Sequence, residues 1–401
     1  MSAEDAAREL EGLLSQSVRG QMLADVPLGA FLSGGVDSST IVALMQAQSS
    51  RPVKTFTIGF DETGFDESPH AEAVARHLGT EHTTLKLTGR EAREVIPQLP
   101  QLYCEPFSDS SQIPTFLVAA LARRQVTVAL SGDAGDELFG GYNRYLVTHD
   151  LWRGLGRLPV PLRKMMAKAL GTLPPHRWNC LIAPISDLLP KSLRFSDPGQ
   201  KIRKAANVLS AASVDELYRG VVSHWDPAAV LLRGSEPPTL LSGLRPHLNG
   251  LGDIERMMAL DAMTYLPGDI LVKVDRAAMG VSLETRVPLL DHRLVEWAWH
   301  LPLALKIRDG QGKWLLRQVL YRHVPRELIE RPKTGFGIPI DAWLRGPLRD
   351  WAEGLLAESR LANQGLFNTA LVRRAWDEHQ ERRGNWSYHL WDVLMFQAWW
   401  D

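Results

Sequence analysis

The apolar positions of the chain change rhythm several times before residue 131. Residues 3–23 place Ala6, Ala7, Leu10, Leu13, Leu14, Val18 and Met22 at helical spacing and predict an amphipathic helix. Residues 28–32 are small or apolar and carry no charge, as a strand buried on both faces would be. After Ser33, Gly34 and Gly35 the positions Ile41, Val42, Leu44 and Met45 return to helical spacing. Residues 53–60 alternate as a strand, 70–78 read as a short helix closed by Gly79, and 82–87 as another strand. A helix over 113–124 and a β-branched strand over 126–130 follow. Strand alternating with helix implies an α/β fold, a parallel sheet covered by helices on both faces.

Beyond residue 145 the pattern becomes helical. Residues 146–250 hold scattered prolines between apolar and basic segments and predict irregular helices joined by short loops; 253–265 is an amphipathic helix. Tryptophans recur at 343, 351, 376, 386, 391, 399 and 400, which fits the packing of a helical lobe better than a nucleic-acid platform, since no basic residues interleave them. The expected organisation is an α/β core over 1–145, a helical insertion over 146–250 and a helical remainder over 251–401 that carries substrate-side loops.

Composition narrows the function. The 401 residues are enough for a sizeable core, and 45 Lys+Arg against 46 Asp+Glu leave no net field to attract nucleic acid or an anionic membrane. Small soluble substrates are expected instead. Cys104 and Cys180 are the only cysteines, so a disulfide framework and a Cys-x2-Cys site are excluded. No apolar run approaches the length of a membrane span, no signal peptide is visible, and a cytoplasmic location is expected.

Two loops carry the candidate chemistry. Ser33-Gly34-Gly35-Val36-Asp37-Ser38-Ser39 joins a strand to a helix, and Ser131-Gly132-Asp133-Ala134-Gly135-Asp136-Glu137 follows another strand. Backbone N–H groups at a helix start favour phosphate, and paired glycines let the backbone approach it. Carboxylates among phosphates call for a divalent cation, so Asp37 and Asp136 are expected to share magnesium. In open parallel sheets ligands bind at the carboxyl ends of strands, where both loops fall. No lysine follows the glycines, which excludes the phosphate loop of kinases and GTPases.

Together with Thr-Phe-Thr-Ile-Gly-Phe at 55–60 and Ser-Gly-Asp-Ala-Gly-Asp-Glu-Leu-Phe-Gly-Gly-Tyr at 131–142, the first loop resembles the synthetase half of glutamine-dependent asparagine synthetases. Leu-Pro-Gly-Asp-Ile-Leu-Val-Lys-Val-Asp-Arg-Ala at 266–277, Ser-Leu-Glu-Thr-Arg-Val-Pro-Leu-Leu-Asp at 282–291 and Arg-Pro-Lys-Thr-Gly-Phe-Gly-Ile-Pro-Ile at 331–340 extend the likeness. It implies an adenine nucleotide alpha hydrolase-like (PP-loop) sheet and an ATP- and magnesium-dependent ligase. By that resemblance Phe31, Leu32, Ser33, Gly34, Gly35, Asp37, Ser38 and Ser39 hold ATP, and Ile58, Ser131 and Gly132 contact adenine. Asp37 and Asp136 bind magnesium pyrophosphate, and Lys333 sits over the phosphates. Glu284, Lys273 and Asp275 lie near the amino acid or ammonia. The residues alone leave alternatives: Lys333 as a solvated loop lysine, Glu284 with Arg286 as a structural ion pair, and Lys273 and Asp275 as either a pocket or the wet face of a helix.

The chain departs from the family in two places. Residue 2 is serine, where glutaminase-active members carry a nucleophilic cysteine, so no glutaminase domain is expected in this chain and a separate glutaminase is a candidate partner. Asp133 stands where asparagine synthetases often have glutamate, which bears on the handling of ammonia and the identity of the acceptor. The expected reaction makes asparagine from aspartate through a β-aspartyl-AMP intermediate, and a homodimer is compatible with it. Rival readings are adenylation of another carboxylate (a surface-polysaccharide sugar acid, or β-lactam or peptide ring closure), a tRNA-modifying enzyme, and a non-catalytic scaffold.

Overall fold

The computed structural model describes residues 2–61, 66–173, 175–182, 198–234, 237–243, 248–330 and 337–401. These form two compact units, one of residues 1–143 and 258–338, the other of residues 144–257 and 339–401.

The first unit opens with helix α1 (Ala3–Gln21). Its start is fixed by Ser2, whose side chain accepts a hydrogen bond from Asp5 N, and by acidic residues in the first turn. One face buries Leu10, Leu14 and Val18 completely, at roughly 1.5–3 kcal/mol for each large side chain. Strand β1 (Leu28–Phe31) follows, then helix α2 (Val36–Ala47), β2 (Lys54–Phe60), helix α3 (Ser68–Leu78), β3 (Glu81–Leu87) and, after the helix Gln112–Arg123, β4 (Val128–Leu130). Helix α2 is apolar almost all round, and every residue from Ser38 to Met45 is buried, as expected of a helix enclosed on all sides. Helix α3 stops at Gly79, which takes the left-handed conformation at φ 70°.

The strands form one five-stranded sheet in the order β3-β2-β1-β4-β5, all parallel, where β5 is Glu284–Arg286. The α/β fold and its first four strands match the sequence pattern. The fifth strand is too short to leave a period, and only its pairing with β4, Val128 opposite Glu284 and Leu130 opposite Arg286, defines it. The chain runs outward from β1 through β2 to β3, then returns to place β4 on the other side of β1. The strand order therefore reverses between β1 and β4, the position at which a parallel sheet opens a crevice at its carboxyl edge.

The second unit is helical among its described residues. Prolines start its helices rather than interrupt them, as at Val160–Gly171, where Pro159 and Pro161 flank the first position. Trp343, Trp376, Trp386 and Trp391 are buried, and Trp225 stacks on Trp386 with ring centroids 5.9 Å apart. The recurring tryptophans are thus largely packing, although Trp399 and Trp400 keep exposed faces. No helix among the described residues is long and apolar enough to cross a membrane.

Candidate active site

The carboxyl ends of β1 and β4 lie side by side, with Ala30 paired to Leu130. Each strand gives way at once to its glycine loop. In the first, Gly34 takes φ +70°, and a β-carbon there would stand 2.9 Å from the backbone of Ala71 at the head of α3. Ser33 N donates to Ser38 Oγ at 3.2 Å, and the two hydroxyls lie 2.9 Å apart. The loop is thereby folded back over the first turn of α2, whose N-terminal amides face the crevice. In the second loop Ala134, at φ 74°, occupies the left-handed region that side chains rarely enter, and the short helix Gly135–Phe139 that follows presents Asp136.

The loops are pressed together. A β-carbon on Gly132 would stand 2.6 Å from Ser38 N, and one on Gly135 would overlap the Asp37 carboxylate. Glycine at both positions lets Asp37 and Asp136 converge on one ammonium. Lys313 Nζ bonds to Asp37 Oδ2 and to Asp136 Oδ1, the latter at 2.8 Å. Lys313 itself is left-handed at φ 57°, its N–H donates to Phe139 O at 2.8 Å, and it is buried. Burial disfavours its charge, but Asp136 and Asp37 outweigh that and raise its pKa above the usual lysine value.

These groups line a cavity of about 680 Å³, a volume suited to a nucleotide-sized ligand. Of the residues singled out from sequence, Phe31, Leu32, Ser33, Gly34, Gly35, Asp37 and Ser38 line it from the first loop. Ser131, Gly132, Asp133 and Asp136 line it from the second, and Lys273 from the helix Leu271–Met279. Phe56, Val118 and Val274 add apolar surface to the lining. Ser39 and Ile58 lie inside the protein, in α2 and mid-β2, and do not reach the wall. Asp275 is exposed on the outer face of its helix, so that run contributes a pocket residue, Lys273, and a wet-face residue, Asp275. Glu284 is exposed on edge strand β5 and pairs with Arg286 (Nε to Oε1, 2.6 Å), away from the cavity. Lys333 lies outside the described residues.

Lys273 is held by a half-buried partner. Its Nζ donates to Asp109 Oδ2 at 2.6 Å, and Asp109 also accepts from Ser111 N and Oγ at 2.8 and 2.7 Å. Burial opposes both charges, yet their mutual attraction wins, so Lys273 is raised and Asp109 lowered from their ordinary pKa values. Asp133 is raised, foremost by burial, with the Asp37 and Asp136 carboxylates adding to the shift. Glu137, which accepts from Tyr142 Oη at 2.7 Å, is pushed up to about 7 by burial. The crevice therefore offers two fixed ammonium groups, amides at a helix start, and carboxylates that hold protons more tightly than usual.

A magnesium ion fits this donor set. Two carboxylate oxygens meet within the reach of one ammonium, and neither thiol nor imidazole stands beside them. Among the described residues no group of three or more His, Cys, Asp or Glu could hold a metal unaided. Magnesium commonly takes one or two protein carboxylates and completes its shell with phosphate oxygens and water.

Sequence reasoning missed Lys313, Asp109, Glu137 and Tyr142. For Lys313 a signal was present: Asp309-Gly310-Gln311-Gly312-Lys313, just before the helix Trp314–Leu320, is a third glycine-rich turn leading into a helix.

A family model described as asparagine synthase matches residues 9–401. A Mycobacterium tuberculosis protein named "Putative asparagine synthetase (glutamine-hydrolyzing)" is 35% identical, over 98% of this chain and 58% of its own length. A Bacillus subtilis protein named "Asparagine synthetase (glutamine-hydrolyzing) 1" is 31% identical, over 98% of this chain and 58% of its own length. A Methanocaldococcus jannaschii protein named "Putative asparagine synthetase (glutamine-hydrolyzing) 2" is 45% identical, over 67% of this chain and 48% of its own length. The chain thus spans less than two thirds of the length of each of these relatives.

Proposed function

The chain belongs to the asparagine synthase family, and from that we propose that it activates a carboxylate with ATP and passes the acyl group to ammonia, making asparagine from aspartate. One observation carries the reading. Asp37 and Asp136 meet at one point between two glycine loops, at the amide end of α2 and at the switch point of the sheet.

In the first step a β-carboxylate oxygen of aspartate attacks the α-phosphorus of ATP, and the bond to the bridging oxygen breaks to release pyrophosphate. In the second, the ammonia lone pair attacks the acyl carbon of β-aspartyl-AMP, a proton leaves the nitrogen, and AMP departs. The chain contributes placement and fixed charge. Residues 33–39 cradle the phosphates, and the apolar lining that includes Phe31 and Phe56 receives the adenosine, backed by Ile58. Asp37 and Asp136 hold magnesium, which when bound neutralises the phosphates and eases the departure of pyrophosphate. Lys273, oriented by Asp109, faces the acceptor, and Asp133, with its raised pKa, is placed to take a proton from the attacking nitrogen. Lys333 supplies a further cation over the phosphates. Glu284 and Asp275 lie outside the cavity wall and carry no step in this reading. The ammonia comes from glutamine through a glutaminase.

The aspartate at 133 favours a second reading, in which the same adenylation acts on a different carboxylate, because a side chain one methylene shorter leaves room for a larger acceptor. The decisive experiment incubates the protein with ATP, magnesium and ammonium, supplies aspartate or other acids in turn, and follows pyrophosphate and amide. Aspartate-dependent pyrophosphate with asparagine formed is the expected result. Release with another acid alone would move the substrate, and ADP as the nucleotide product would end the adenylation reading.

A further inference from the structure

Lys313 is fixed between Asp37 and Asp136 rather than draped over them. Its N–H is tied to Phe139 O at 2.8 Å, and Gly312 before it passes so close to Gly140 that a β-carbon there would overlap the Gly140 carbonyl. Its stem crosses Gly141, where a β-carbon would overlap both the Lys313 side chain and the Asp136 carboxylate. The ammonium therefore stands where an ion shared by the two carboxylates would have to stand.

A divalent ion and an ammonium cannot share that point. A bare ion would have to eject Lys313 and leave a buried ammonium without an anion, a strongly unfavourable exchange. A metal–triphosphate complex brings its own anion, and the phosphate oxygens give Lys313 a new partner as the carboxylates turn to the metal. We propose that Lys313 is a resident counter-ion that reserves the Asp37 and Asp136 pair for metal delivered on nucleotide, so that the free divalent ion is excluded and the complex enters as a unit. This rests on the ATP reading above and deepens it, but it is independent of which acid is activated.

The test uses Mn2+ as the probe and the full chain without nucleotide, with free Mn2+ read by electron paramagnetic resonance. Lys313→Met should bind Mn2+ at least about tenfold more tightly than the unaltered protein, and Lys313→Arg, which keeps the charge, should not. No gain in Lys313→Met, or an equal gain in Lys313→Arg, would overturn the proposal. Should Lys313→Met fail to fold, thermal melts of the unaltered protein decide: Mn2+ alone should leave Tm in place, and Mn2+ with a non-hydrolysable ATP analogue should raise it. A rise of equal size with Mn2+ alone would overturn the proposal. If instead no acid elicits pyrophosphate release while the Mn2+ contrast persists, the reaction assignment fails and this inference stands.

Discussion

Gly132 and Ser38, 94 positions apart by their numbering, touch so closely that a β-carbon on the first would stand 2.6 Å from the backbone nitrogen of the second. The contact joins the loop after β4 to the first turn of α2. Nothing flexible lies at that point, since the obstructing atoms are the backbone of Asp37 and Ser38. Gly132→Ala should therefore part the loops, at about 1–3 kcal/mol in stability, and reduce ATP-dependent pyrophosphate release at least about 100-fold, because small misplacements of reacting groups cost that much. Urea melts and a pyrophosphate assay check the two effects separately.

Replacing either carboxylate of the central pair tests the metal role. Asp37→Asn and Asp136→Asn each leave Lys313 one anionic partner, so both variants should fold with native circular dichroism. Pyrophosphate release should fall by about 1000-fold or more, the loss expected when a charge at the reacting phosphates goes. Full activity in either variant would contradict the assignment.

Asp109 should matter through Lys273. Asp109→Ala leaves the buried Lys273 ammonium with only the longer contact to Asp269, at 3.9 Å, and should cost on the order of 3 kcal/mol in urea melts. The double variant Asp109→Ala/Lys273→Met removes the poorly compensated charge and should recover most of that stability while remaining inactive. Loss of the full amount in both variants would mean that Asp109 acts through its bonds to Ser111 instead.

His379 gives the second unit a pH dependence. It is wholly buried, and Nδ1 accepts from Trp386 N at 3.2 Å, so the neutral ring carries its proton on Nε2. Burial first, and then the Arg345 guanidinium, depress its pKa to about 4, with Asp341 opposing. The unfolded chain takes up this proton near pH 6.5, the folded chain only near 4, so the unfolded state binds more protons in between and stability falls as the pH drops through that window. At about 1.4 kcal/mol per pH unit, the expected loss between the unfolded and folded values is on the order of 2–3 kcal/mol. His379→Gln should lack this component when denaturant melts are compared at pH 7.5 and 4.5.

The sequence by itself determined the features that depend on near neighbours: the uninterrupted apolar run of β1, the alternation of β2, the glycines of the two loops and the carboxylates carried on them. Such features need only the chain's own geometry within about ten residues, and the parallel sheet follows from their alternation. Tertiary structure decided which charges meet. Lys313 joins Asp37 across 276 positions and Lys273 joins Asp109 across 164, and no local pattern encodes either pairing. It also decided that Lys273 faces the cavity while Asp275 faces solvent, that Ile58 is packed inside the sheet, and that Glu284 lies on an edge strand paired with Arg286. Periodicity ranks residues along one element, but the direction a side chain faces is fixed by what another part of the chain packs against it.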